Sequence, residues 1–371
     1  MQRAARVAAA IALAGVSIAA ATAAAAPFLP DDGGAWGRPG RWSGQQWNFT
    51  ARYGVDAPGA WANLIAAGRP GGQGVTVAVL DTGVAHSPDL SPARIVRGYD
   101  FVDGDTDTLD RNGHGTHVAS TIAETTNNGY GLTGLAYRAR IMPVRVLDDS
   151  GDGVPAVIAR GVRFAAEHDA KVINLSLNFD ERVTAAQIRP LLRAIDAADR
   201  RGSLVVAAAG NAGAQVVAEP ARAPHVLAVG ATTEYGCLAS YSDRGTGLDL
   251  VAPGGGNDAA LADDAACVAG RRGRAIYQVT LEGRRLERFG IPRDYFGTSM
   301  AAPHVSATAA LVVAGGVLGP DPSPAAIVQR LEQTARDLGA PGFDSRYGWG
   351  LVDAAAATAP NAGTRAPAGS Q

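Results

Sequence analysis

The chain has 371 residues, 47 % of them apolar and 18 % charged, with a formal net charge of −2. Enough apolar surface is present to offset chain entropy, which excludes an intrinsically disordered protein. With no basic excess and no long block of like charge, nucleic acid is excluded as the expected partner.

Residues 1–26 read as a signal peptide: Arg3 and Arg6 give a charged start, Val7 to Ala21 an apolar stretch, and Thr22 to Ala26 several small-residue cleavage sites. An uncleaved anchor is the alternative, but the run is short and alanine-rich for a spanning helix. Residues 27–50, rich in Pro, Gly, Asp and Trp, read as an extended arm, residues 51–358 as the main domain, and 359–371 as a disordered tail. No second apolar span follows, so an exported chain with no membrane span is expected. Export makes a disulfide between Cys237 and Cys267 possible, although sequence alone leaves their geometry open.

Val75 to Leu80 is a continuous apolar run, as a strand buried on both faces requires. Asp100 to Asp110 reads as an acidic loop. His114 to Glu124 is expected to be helical, Ala139 to Leu147 a strand, Val154 to His168 a helix and Lys171 to Leu177 a strand. Thr184 to Arg201 follows as a helix, then Leu204 to Ala209 and Val226 to Gly230 as strands. Gly254 to Phe296 lacks periodicity and reads as an insertion with one hairpin. Ser299 to Ala314 reads as a helix buried on most sides, and Pro324 to Leu338 as an amphipathic surface helix. Strands alternating with helices predict an α/β fold, a parallel twisted sheet with helices on both faces.

In such sheets functional groups gather beyond the carboxyl ends of the strands. Asp81 follows the first strand, Ser176 ends a later one, and Asn211 follows the strand ending at Ala209. A turn residue would account for any one; three at one edge point to a site. His114 sits in Asn112-Gly113-His114-Gly115-Thr116-His117, where glycines leave room beside the imidazole. Ser299 lies among small residues in Phe296 to His304, at the start of a helix whose dipole favours developing negative charge. A simple N-cap is the plainer reading of that position. Pro303 is expected in the first turn, where its missing N–H is tolerated.

The segments VAVLDTGV (77–84), NGHGTHV (112–118), VAAAGN (206–211) and GTSMAAPHV (297–305) resemble the four signature blocks of the subtilisin-like serine proteases. They occur in the order Asp, His, Ser known for subtilisin. VINLSL (172–177) and YGWGLVD (347–353) extend the similarity, which runs from about residue 47 to 355. The resemblance implies a three-layer subtilisin-like fold and a secreted serine endopeptidase, a monomer acting on polypeptide substrates. It implies Ser299 as nucleophile, His114 as base, Asp81 as its orienting carboxylate and Asn211 as an oxyanion donor. No cofactor is implied for the chemistry. Gly151, Asp152 and Gly153, with Ser176, Leu177 and Asn178, match the two edges that hold an extended peptide. Ala208, Ala209 and Gly210 match the primary specificity pocket, where small residues imply room for a large side chain. Asp152 suggests some tolerance of basic substrate residues.

Asn178, Ser120 and Ser306 depart from the residues usual at their positions, the last two reading as packing changes. No inhibitory prodomain of the usual size is recognisable. Structural calcium is a further implication, with Asp32, Asp89 and Asn128 as ligands. The loop Asp103-Gly104-Asp105-Thr106-Asp107 offers a second calcium candidate, or a solvated acidic loop. A zinc site at His114 and His117 lacks the Glu of an H-E-x-x-H pattern, and an α/β-hydrolase lacks its second glycine at Ala301. His117 reads as a core histidine, and His86, His168, His225 and His304 as surface or structural. An exported peptide-binding pseudoprotease remains as the non-enzymatic alternative.

Overall fold

Strand β1 (Thr76–Asp81) is buried along its whole length. Successive side chains in a strand point to opposite faces. Val77 and Val79 enter one core, and Ala78 and Leu80 enter another. Such a strand needs cover on both sides, and the rest of the chain supplies it. The computed structural model describes residues 28–34, 38, 40–180, 182–261, 267–283 and 285–360. The expected signal peptide and residues 361–371 of the expected tail lie outside them.

The other long-sheet strands are β2 (Tyr99–Asp100), β3 (Arg140–Arg145), β4 (Val172–Leu175), β5 (Leu204–Ala208), β6 (Val226–Thr232) and β7 (Leu250–Pro253). They lie in the order β2-β3-β1-β4-β5-β6-β7 with every pair parallel. The chain leaves β1 toward one edge and β4 toward the other. The order therefore reverses between β1 and β4, where such sheets open a crevice beyond their strand ends.

The helices are α1 (Trp42–Gln45), α2 (Ala57–Ala66), α3 (His114–Ala123), α4 (Pro155–Glu167), α5 (Arg189–Arg200), α6 (Thr298–Gly315), α7 (Pro324–Thr334) and α8 (Ala354–Thr358). Ile158 and Val162 of α4 and Leu191 and Ile195 of α5 share the core of Ala78 and Leu80. Val118 and Ile122 of α3, with Val305 and Leu311 of α6, share the core of Val77 and Val79. The three layers expected from sequence are present. Helix α6 is buried on nearly every side, as its all-round apolar sequence requires. It begins at Thr298, so Pro303 lies inside the helix rather than in its first turn.

Residues 28–50 are not simply an extended arm. Trp42, Trp47 and Phe49 join the same core as α3 and α6, and each such burial contributes about 1.5–3 kcal/mol. This segment also holds the 254–296 insertion. The Trp47 indole donates to Ala275 O at 3.1 Å, Gln46 Nε2 to Gln278 Oε1 at 3.1 Å, and Arg274 Nη1 to Gly44 O at 2.9 Å. Within the insertion β8 (Thr280–Leu281) pairs antiparallel with β9 (Phe289–Gly290), the expected hairpin. Cys237 and Cys267 are joined, with Cα atoms 5.6 Å apart. Among the described residues, no helix is long and apolar enough to cross a membrane.

Candidate active site

Asp81 is the last residue of β1 and is fully buried. Its Oδ1 accepts from Thr82 N at 2.8 Å and lies 2.7 Å from His114 Nδ1. His114 opens α3, so the strand end meets the helix N-terminus directly. Gly115 permits that approach: a Cβ there would sit 2.2 Å from Gly83 O. Burial pulls the His114 imidazolium down, but the charge and hydrogen bond of Asp81 and the charge of Asp110 outweigh it. The ring ends above its ordinary value.

Ser299 is the second residue of α6. Its hydroxyl donates to Ser176 O at 3.0 Å, while the Ser176 hydroxyl donates to Ser299 O at 2.7 Å. Position 303 would ordinarily donate its N–H to Ser299 O, but proline has none. Ser176, at the end of β4, fills that gap. Asn174 Nδ2 donates to the Ser176 hydroxyl at 2.9 Å, and Ser306 Oγ donates to Asn174 Oδ1 at 2.8 Å.

Asn211 follows β5 and is exposed. Its Oδ1 accepts from Thr298 N at 2.9 Å and from Thr298 Oγ1 at 3.0 Å. Those bonds fix the amide plane and leave Nδ2 for another acceptor. A Cβ on Gly297, whose φ is +152°, would lie 3.7 Å from Asn211 Nδ2 and 3.8 Å from Ser299 N. The glycine thus keeps open a space that both donors border.

The expected substrate edges continue from neighbouring strands. Ser176 and Leu177 are buried and Asn178 exposed beyond β4; Ala208 ends β5, and Ala209 and Gly210 follow it, all three buried. Gly151, Asp152 and Gly153 are exposed in a turn where Asp152 N donates to Asp148 Oδ1 at 3.1 Å. Asn178 turns its amide to Phe179 O at 3.1 Å.

The three expected calcium ligands meet. Asn128 N donates to Asp32 Oδ1 at 3.1 Å, and Asn128 Nδ2 to Asp89 Oδ1 at 2.6 Å. Glu124, which the sequence gave no reason to single out, is buried beside Asp89. Burial pushes Asp89 up to about 7 and Glu124 well above its ordinary value, each reinforced by neighbouring carboxylates. Among the described residues none of these three carboxylates is ion-paired, and no three His, Cys, Asp or Glu side chains form a ready metal group. The uncompensated negative charge suits a hard cation, although Asn128 now offers Asp89 its NH₂ and not its oxygen. The second calcium candidate dissolves differently. Asp103 pairs with Arg145 at 2.7 Å and Asp107 with Arg111 at 2.8 Å, so their carboxylates are already matched.

A family model described as the subtilase family matches residues 72–350. The chain belongs to that family. This subtilase is 40 % identical over 279 residues to a thermophilic serine proteinase of Bacillus sp. (strain AK1), a match covering 75 % of this chain and 60 % of that protein. It is 41 % identical over 287 residues to Subtilisin Savinase of Lederbergia lenta, covering 77 % of this chain and 91 % of that one. Among solved structures, a protease from Pseudoalteromonas arctica PAMC 21717 superposes with a TM-score of 0.72 at 32 % identity, covering 89 % of this chain and 99 % of the other.

Two departures within the subtilase pattern are hydrogen-bonding groups and not packing changes. Ser120 Oγ donates to Val279 O at 2.9 Å, and Ser306 reaches Asn174 as above. His117 is a core histidine, stacked on Tyr295 at 4.3 Å and held down to about 3 chiefly by burial. His304 is likewise structural, buried between Asn48 and the Met300 carbonyl. Sequence reasoning missed Asp110, Thr82, Thr298 and Asn174. Thr82 and Thr298 lie inside recognised blocks, Asn174 inside VINLSL and Asp110 two residues before NGHGTHV, so position in the chain was the signal available for each.

Proposed function

We propose that this subtilase is a serine endopeptidase. Ser299 Oγ attacks the scissile carbonyl as His114 takes its proton, later returned to the leaving amine. Asp81 holds the imidazole tautomer and balances the imidazolium. Asn211 Nδ2 and Ser299 N donate to the tetrahedral oxyanion. The carrying observation is the 2.7 Å contact between His114 Nδ1 and Asp81 Oδ1. The Asn211 amide, fixed by Thr298 beside Ser299, supports the second half of the reading.

The Ser299 hydroxyl rests on the Ser176 carbonyl, so a turn about its χ1 precedes proton transfer. Catalytic hydrogen bonds often tighten only when substrate is present. The segments 151–153, 176–178 and 208–210 bind an extended polypeptide in this reading, with a roomy primary pocket. Export through residues 1–26 accords with the Cys237–Cys267 bridge, since such bonds persist in oxidising compartments. Calcium would be held by Asp89, Asn128 and Asp32, stabilising the fold and taking no part in the chemistry.

Labelling by a fluorophosphonate, lost in Ser299→Ala, together with hydrolysis of an unstructured polypeptide, tests the proposal. A wild-type protein that binds peptide, takes no label and cuts nothing would instead be the pseudoprotease.

A further inference from the structure

Asp110 is fully buried, yet no cation neutralises it among the described residues. Its Oδ1 accepts from Thr82 Oγ1 at 2.9 Å, Asn112 N at 2.8 Å and Gly113 N at 2.9 Å. Its Oδ2 accepts from Thr116 N at 2.9 Å and Thr116 Oγ1 at 2.6 Å. These donors come from two places. Thr82 adjoins Asp81 at the end of β1; Asn112, Gly113 and Thr116 surround His114 at the start of α3. The two threonines extend the pattern, since Thr82 Oγ1 accepts from Gly115 N at 3.0 Å and Thr116 Oγ1 from Ala85 N at 2.9 Å.

A buried carboxylate needs such donors to stay charged. A tether alone would not need the charge, and a neutral amide here would set an NH₂ against the Thr116 N–H. We infer that Asp110 is a positioning residue, a charged clasp that fixes His114 against Asp81 and adds a second negative charge beneath the imidazole. The inference rests on the proposed roles of Asp81, His114 and Ser299. The carboxylate acts twice: through geometry, on the alignment of the base, and through charge, on the pH at which the base becomes neutral. The titratable groups facing His114 are Asp81 on β1, Asp110 on the preceding loop, His117 one turn along α3 and Tyr295 from the insertion, whose hydroxyl lies against Gly113.

Asp110→Asn separates the two effects. The expected result is a kcat at least about tenfold lower with KM little changed, since misaligned catalytic groups lose rate before they lose substrate. The acid limb of kcat/KM should also move to lower pH, because removing a negative charge favours neutral imidazole. A purely structural role would lower activity or stability and leave the limb in place; that result, or wild-type kinetics, overturns the inference. If Asp110→Asn does not fold, Thr82→Val and Thr82→Ser replace it. Valine removes both bonds of the Thr82 hydroxyl and serine keeps them, so kcat should fall in the first and return in the second. Equal kcat values for the two would overturn the inference. Wild-type enzyme that labels with fluorophosphonate and cuts polypeptide, beside variants identical to it, sinks this inference alone. Unlabelled, inactive wild type sinks the proposed function and this inference with it.

Discussion

The Ser176 hydroxyl donates to the Ser299 carbonyl at 2.7 Å, the carbonyl that Pro303 leaves without its helical N–H. The relay continues through Asn174 to Ser306, all of it buried. Removing its far end should be felt at the near end. Ser306→Ala deprives Asn174 Oδ1 of that donor and should cost about 1–3 kcal/mol of stability. Activity should fall by less than about tenfold, since the Ser176–Ser299 bond itself survives. Calorimetry and kcat check both, and an unchanged melting temperature would count against the relay.

Asn211→Ala should lower kcat by about 10²–10³-fold with little change in KM, a range carried over from removal of such a donor in a subtilisin. Asn211→Asp is the informative partner. It keeps an oxygen for Thr298 but offers no donor, so steady-state assays should find it as slow as alanine.

The raised His114 value sets a direction for pH dependence. The base is active when neutral, so kcat/KM should climb as pH rises through a value above that of ordinary imidazole, about 6.5. An acid limb at or below that value would contradict the excess negative charge around the ring.

Asp89, lifted to about 7, gives stability its own pH profile. A carboxyl raised in the folded state contributes fully below its unfolded value, about 4, and the contribution is lost as pH rises through the folded value. Chelated protein should therefore melt at lower temperature at pH 8 than at pH 5, and added calcium should remove the difference. A melting temperature at pH 8 that ignores both chelator and calcium would dispose of the proposed metal site.

The sheet was legible because burial on both faces leaves an unbroken apolar run, as at Val75 to Leu80, with function where the run stops at Asp81. Two-residue β2 carries no such run, and β7 sits at the edge of an insertion without periodicity. Helix α2 is announced by Asp56, whose carboxylate accepts from Gly59 N at 3.3 Å, and by Pro58, but its apolar surroundings hide any amphipathic period. Within the site, the groups on strand ends and glycine-flanked turns could be read. The roles of Asn174 and Ser306 could not be read because they lie 132 positions apart and meet only in the folded molecule. Asp110 bonds mostly to its own neighbours Asn112, Gly113 and Thr116, but its tie to Thr82 at the end of β1 likewise forms only on folding. Residues 27–50 misled for a related reason: Pro and Gly suggested exposure, while three large aromatic rings found their core elsewhere.

That leading segment sets a limit on maturation. Gln46 and Trp47 are bolted to an insertion more than two hundred positions away. Trimming by exopeptidases or self-cleavage past Asp31 would already take Asp32 from the proposed calcium site. One step past Trp42 would uncover the flank of α2 and set the insertion adrift, so a ragged but bounded N-terminus is the expected hallmark of the ripened enzyme.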